Sequence, residues 1–174
     1  MKLQEANQHQ RCNLRVARVV PNSTNNGEGI RTVIVFQGCS LGCKGCFSPE
    51  LQKFEGGKEV SPEKLAITIG NYYLENKNLI DGITLSGGNP QEQPGLIYFL
   101  KALKEKIPNI NLWMWTGYTM EEIQDSNLLT EHLCYIDVII TGRFIEELKC
   151  DGEYYGSSNQ QIWRKNNYGQ WTRE

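Results

Sequence analysis

Histidine is nearly missing from this chain: His9 and His132 are the only two in 174 residues, and neither has a ligand-like spacing. No nucleophile–base pair stands out either, so a conventional acid–base hydrolase or transferase is not indicated. An excess of one charge is also lacking. Eighteen Lys+Arg against 20 Asp+Glu leave a net charge of −2, which argues against a dedicated nucleic-acid binder, since such proteins carry a strongly basic face. No apolar run approaches the ~20 residues that span a bilayer. The opening MKLQEANQHQR has no apolar h-region, so a cytoplasmic location with no membrane association is expected. Internal repeats and low-complexity linkers are absent. Apolar content is ordinary, which excludes a disordered or fibrous chain. The length suits a single domain over 1–174, with a core at about 14–163, a short flexible N-terminus and a C-terminal tail.

What the chain does have is cysteine: Cys12, Cys39, Cys43, Cys46, Cys134 and Cys150. Six could form three disulfides, but a chain without an export signal folds in a reducing compartment. Their distribution is uneven. Three fall in the run GCSLGCKGCF, and the others are scattered and read as small packing residues. Cys39-x-x-x-Cys43-x-x-Cys46 can point three thiolates at one centre, because Gly38, Gly42 and Gly45 let the loop curl. Structural zinc wants four N/S ligands, usually in two pairs. A cubane iron–sulfur cluster normally takes four cysteines, so three would leave one iron open, as a catalytic cluster requires. Spacing leaves three readings: a catalytic iron–sulfur cluster, zinc, or an incidental grouping.

Strand and helix alternate along the chain. Leu14–Val20, Thr32–Gln37, Ile80–Ser86, Asn111–Thr116 and Tyr135–Thr141 read as strands. Ser61-Pro62 opens a helix with Leu65, Ile69, Tyr72 and Tyr73 on one face. A second helix follows Pro94, with Leu96, Leu100, Leu103 and Ile107 as its stripe. Thr119-x-x-Glu122 forms a capping box for a third. This alternation implies βαβ units and a mainly parallel sheet, whose functional loops gather at the carboxyl ends of the strands. The loops after the second to fifth strands read GCSLGCKGC, GGNP, TGYT and TGRF. Four such loops would surround one site. In Ser86-Gly87-Gly88-Asn89 the paired glycines let a ligand approach the backbone. Trp113 and Trp115 alternate along a strand and read as core packing.

The three-cysteine loop after an early strand, with a Gly-Gly run after a later one, resembles the radical S-adenosylmethionine superfamily. NGEGIR (Asn26–Arg31), FQGC (Phe36–Cys39) and GCF (Gly45–Phe47) are similar to the small activases of glycyl-radical enzymes. WTGYT (Trp115–Thr119) and GSSNQQIW (Gly156–Trp163) are most like those that act on anaerobic ribonucleotide reductase. The resemblance implies that Cys39, Cys43 and Cys46 hold a 4Fe-4S cluster whose fourth iron chelates S-adenosylmethionine. One electron, from a flavodoxin- or ferredoxin-type reductant, would yield methionine and a 5′-deoxyadenosyl radical. That radical would take a hydrogen from a glycine Cα of the reductase. By the same resemblance, Ser86, Gly87, Gly88 and Asn89 cradle the methionyl amino group, and Gly45 and Phe47 flank Cys46 and contact the adenine. Thr116, ending a strand on the same rim, would touch the ribose or methionyl group. Asn26–Arg31 would shape the entrance, although Arg31 reads more simply as a surface cation. Asn89 stands where the family commonly has an acid. The implied fold is an α/β incomplete barrel of five to six mainly parallel strands with outer helices. Five strands cannot close an eight-stranded barrel, so one side should stay open for a protein loop.

Overall fold

The β-branched runs expected to be strands all form strands. In the computed structural model, which describes residues 12–151 and 154–174, they are β1 (Leu14–Ser23), β2 (Arg31–Phe36), β4 (Gly82–Gly87), β5 (Leu112–Trp115) and β6 (Val138–Thr141). Three further strands join them: β3 (Lys58–Val60), β7 (Gln161–Lys165) and β8 (Trp171–Arg173). The sheet has eight strands in the order β3-β1-β2-β4-β5-β6-β7-β8. The expected N-terminal segment and His9 lie outside the described residues. The stretch beyond 163, expected as a tail, completes β7 and contributes all of β8.

The expectation of five to six mainly parallel strands is corrected here. Only β2–β4, β4–β5 and β5–β6 pair in parallel, whereas β1–β2, β1–β3, β6–β7 and β7–β8 are antiparallel. Residues 24–30 joining β1 to β2 are too few for a parallel crossover, which takes a dozen or more. The short strands KEV, QIWRK and WTR lack the apolar alternation that would mark them. The sheet is open, with β3 and β8 as its edges.

Helices α1 (Pro62–Glu75), α2 (Leu96–Lys106), α3 (Met120–Gln124) and α4 (Asn127–Leu133) fill the parallel crossovers. Ser61 caps α1 by accepting the Lys64 N–H, with Pro62 at the first position. Thr119 and Glu122 complete the capping box of α3. Each crossover steps one strand in the same direction, so right-handed connections put every helix on one face. One apolar cluster accordingly joins Leu65, Ile69, Leu96, Leu100 and Leu103 to Ile34, Phe36, Leu85, Met114 and Ile139. The opposite face carries Val33 and Val35 under Leu51, and Trp113, Val138 and Ile140 under Tyr154 and Tyr155. Among the described residues no α-helix lies over it, so that face is where a site can open. No helix among the described residues is long and apolar enough to cross a membrane.

Two side chains depart from the simple reading. Arg31 is not a surface cation: it is 1% exposed at the start of β2. NGEGIR therefore sits at the amino end of the parallel strands, opposite the cysteine loop, and does not shape an entrance beside it. His132 on α4 is also buried, and its Nδ1 has no hydrogen-bond partner among the described residues. Burial pushes this imidazole down from 6.5 to about 4, only partly offset by Glu131. The unfolded chain therefore takes up the proton first. Stability is complete above about pH 6.5 and falls as pH drops toward 4, by up to about 3 kcal/mol. In urea unfolding at pH 8 and pH 5, His132→Phe should flatten that part of the profile; an unchanged slope would contradict this.

Candidate functional site

The four loops at the carboxyl ends of β2, β4, β5 and β6 meet. Past Phe36 the chain turns at Gly38 (φ +105°). The Gly38 N–H donates to Leu51 O (2.9 Å) and the Cys39 N–H to Gln52 O (3.1 Å), which roots the cysteine loop on the turn at Pro49–Leu51. Gly42 and Gly45 also have positive φ, and the Cys46 N–H closes a turn on Cys43 O at 3.3 Å. Cys39, Cys43 and Cys46 are half-buried, and all six cysteines are free thiols. Burial pushes the Cys39 thiol up, with Glu92, Cys43 and Cys46 adding to the effect, so binding a metal there must displace its proton. Of the scattered cysteines, Cys134 is exposed rather than packed, while Cys12 and Cys150 are half-buried.

The Gly-Gly run is dictated by the approach of this loop. A Cβ on Gly88 would lie 2.2 Å from Gly38 O, and one on Gly87 would lie 2.4 Å from Phe36 O. The Gly88 N–H donates to Phe36 O and the Asn89 N–H to Gly38 O, both at 2.9 Å. Ser86, Gly87 and Gly88 are half-buried at the strand end, whereas Asn89 is fully buried. Thr116, past β5, is buried too, and its hydroxyl donates to Asn89 Oδ1 at 3.0 Å.

The loop after β6 closes the other rim. Phe144 meets Phe47 at 4.9 Å between ring centroids, and a Cβ on Gly45 would reach Glu146 at 2.8 Å. GSSNQQIW holds this rim. The Gln160 amide donates to Gly142 O (2.9 Å) and accepts from the Gly156 N–H (2.9 Å), while Asn159 donates to Arg143 O (2.8 Å). Phe47 itself is 64% exposed beside Cys46.

The structure thus gathers Cys39, Cys43, Gly45, Cys46, Phe47, Gly87, Gly88, Asn89 and Thr116 into one continuous network of loops. Sequence reasoning missed Glu92, which accepts from the Ser40 N–H (2.8 Å) and the Asn89 amide (2.9 Å). Its position three residues after Asn89, in the turn at Pro90–Glu92, was the available signal. Among the described residues, no three His, Cys, Asp or Glu side chains gather as they would around a single ion. A cubane asks for a wider spread, because each cysteine binds its own iron. Three free, half-buried soft thiols on one glycine-hinged loop fit that demand.

A model of the family described as "4Fe-4S single cluster domain" matches residues 25–163. The anaerobic ribonucleoside-triphosphate reductase-activating protein of Pasteurella multocida is 35% identical over 153 residues, covering 85% of this chain and 96% of that protein. The chain belongs to this iron–sulfur family of reductase-activating proteins. Similar members are the activating proteins of Vibrio cholerae (32% identical; 83% of this chain, 94% of that protein) and Enterobacteria phage T4 (30%; 88% and 96%). The family match begins at residue 25 and ends at Trp163, so it takes in β2 to β6, the first part of β7 and all four loops of the site.

Proposed function

We propose that the chain activates an anaerobic ribonucleotide reductase by forming a glycyl radical on it, as a radical S-adenosylmethionine enzyme. The observation that carries this reading is the cysteine loop: three free thiols beside the Gly-Gly loop, with every other cysteine outside it. Cys39, Cys43 and Cys46 would hold a 4Fe-4S cluster with one iron left to a small ligand. When bound and reduced, the cluster supplies the electron that splits the sulfonium C–S bond, giving methionine and the adenosyl fragment that abstracts the glycine hydrogen. Ser86 and the backbone of Gly87 and Gly88 would receive the methionyl group, and Gly45 and the exposed Phe47 ring the adenine. Thr116, whose hydroxyl is committed to Asn89, serves by holding that residue.

The electron would come from a flavodoxin- or ferredoxin-type protein in the cytoplasm. The open sheet, read as a partial barrel, supports a protein loop as substrate: β3 and β8 stay unjoined, and a macromolecule can enter where a closed wall would stop it. Here the protein contributes positioning and exclusion of competing reactions. The test is electron paramagnetic resonance of the reductase after anaerobic incubation with the reduced activase and S-adenosylmethionine. A doublet dependent on both proteins is expected. A doublet on a different glycyl-radical enzyme, with none on the reductase, would reassign the partner.

A further inference from the structure

A single hydrogen-bonded chain crosses the site from the loop after β5 to the cysteine loop. The Tyr118 N–H donates to Thr116 Oγ1 (3.3 Å), and the Thr116 hydroxyl donates to Asn89 Oδ1 (3.0 Å). The Asn89 amide donates to Glu92 Oε1 (2.9 Å), and Glu92 Oε2 accepts from the Ser40 N–H (2.8 Å). The partners fix the direction at every link. Thr116 faces Asn89 Oδ1, an amide oxygen that can only accept, so the Thr116 hydroxyl must donate. A carboxylate only accepts, so Asn89 must offer its amide nitrogen to Glu92. The polarity runs one way, and it ends on the residue next to Cys39.

We propose that residues 89 and 92 form a matched amide–carboxylate pair, with the amide at 89 and the carboxylate at 92. Glu92 is the positioning residue that ties the cysteine loop to the Gly-Gly loop. Asn89 can accept from Thr116 and donate to Glu92 at once, which an aspartate there could do only by taking up a proton. Aspartate at 89 would set two carboxylates at hydrogen-bond distance in a position that is fully buried, where like charges cannot both ionise without cost. An amide at 92 can satisfy Asn89 or Ser40, but not both. Exchanging the two restores every link. The carboxylate now at 89 would accept from Thr116 and from the amide nitrogen at 92, and the amide oxygen at 92 would accept from the Ser40 N–H.

The test is a cycle on the 174-residue chain, both metal-free and reconstituted anaerobically with iron and sulfide: wild type, N89D, E92Q and N89D/E92Q. N89D should lower the melting temperature by about 5 °C or more, and E92Q by less. The double exchange should return to within about 2 °C of wild type. Iron and sulfide bound per chain should fall in N89D and recover in the exchange. The melting cycle on the metal-free chain reads the pair whether or not the proposed radical chemistry holds, so the two can fail separately. N89D melting like wild type, or an exchange no more stable than the sum of the single changes, would overturn the pairing. Equal iron and sulfide contents in all four proteins would overturn the positioning role.

Discussion

Replacing Cys39, Cys43 or Cys46 by alanine should abolish the iron–sulfur cluster and reduce reductive cleavage of S-adenosylmethionine at least about 100-fold. Outer-shell changes at metal sites already cost ~10–100-fold, and here the ligand itself is lost. The loop offers no replacement. Its three thiols are rooted by the Gly38–Leu51 and Cys39–Gln52 backbone bonds, and no other cysteine lies on it: Cys134 follows α4, and Cys150 lies on the facing rim, its N–H bonded to Gly156 O. Serine at Cys12, Cys134 or Cys150 should leave iron and sulfide per chain unchanged. Cluster content measured on the six single variants therefore separates the two groups. A cluster retained without Cys43, or lost without Cys134, would contradict the assignment.

Arg31→Leu should cost about 3 kcal/mol of stability, because hydrogen bonds from a charged donor are worth about 1.5–3 kcal/mol each and several are lost together. The guanidinium donates from Nε to Thr84 Oγ1 (2.7 Å) and to Ile83 O and Asn111 O (2.9 and 3.1 Å). It also reaches Glu28 O at 3.2 Å and lies 5.2 Å from the Trp113 ring centroid. It stitches the amino ends of β2 and β4 to the segment entering β5. Burial lowers its pKa to about 10, with Asp81, Asp137 and Glu28 opposing, so it remains charged at neutral pH. Leucine would remove every one of these bonds, including the buried ones to Thr84 Oγ1 and Ile83 O, and offer those oxygens no donor in return. Lysine should not rescue, because an ammonium cannot reproduce the planar fork. Urea unfolding should show the loss, while cluster ligation at the far end of the strands persists in whatever fraction folds. A loss below about 1 kcal/mol would contradict this account.

The parts of the molecule legible in the sequence are those with a local signature. Ser61-Pro62 and Thr119-x-x-Glu122 announce helix starts because capping needs only neighbours, and both caps form. The cysteine spacing and the Gly-Gly run announce the site because a curling loop and a close backbone approach each demand glycine nearby. Only the reason for the glycines differs: Gly88 is there for the cysteine loop's own backbone. What the sequence hid depends on distant partners. Arg31 looks like any surface cation until Thr84 and Trp113 fold against it. Edge strands KEV and WTR are three residues long with one apolar residue each, too short for an alternation to show in the sequence. Glu92 looks like a solvated carboxylate, and becomes part of the site only when Ser40 and Asn89 converge on it.

The central claim is that the loops after β2 and β4 build a cluster that cleaves S-adenosylmethionine. The most direct test is to reconstitute the chain anaerobically, reduce it with dithionite, add S-adenosylmethionine and quantify 5′-deoxyadenosine and methionine. The account predicts both products in equal amounts, lost on exposure to air and absent from the Cys39→Ala protein. Neither product from a chain carrying a full complement of iron and acid-labile sulfide would contradict it.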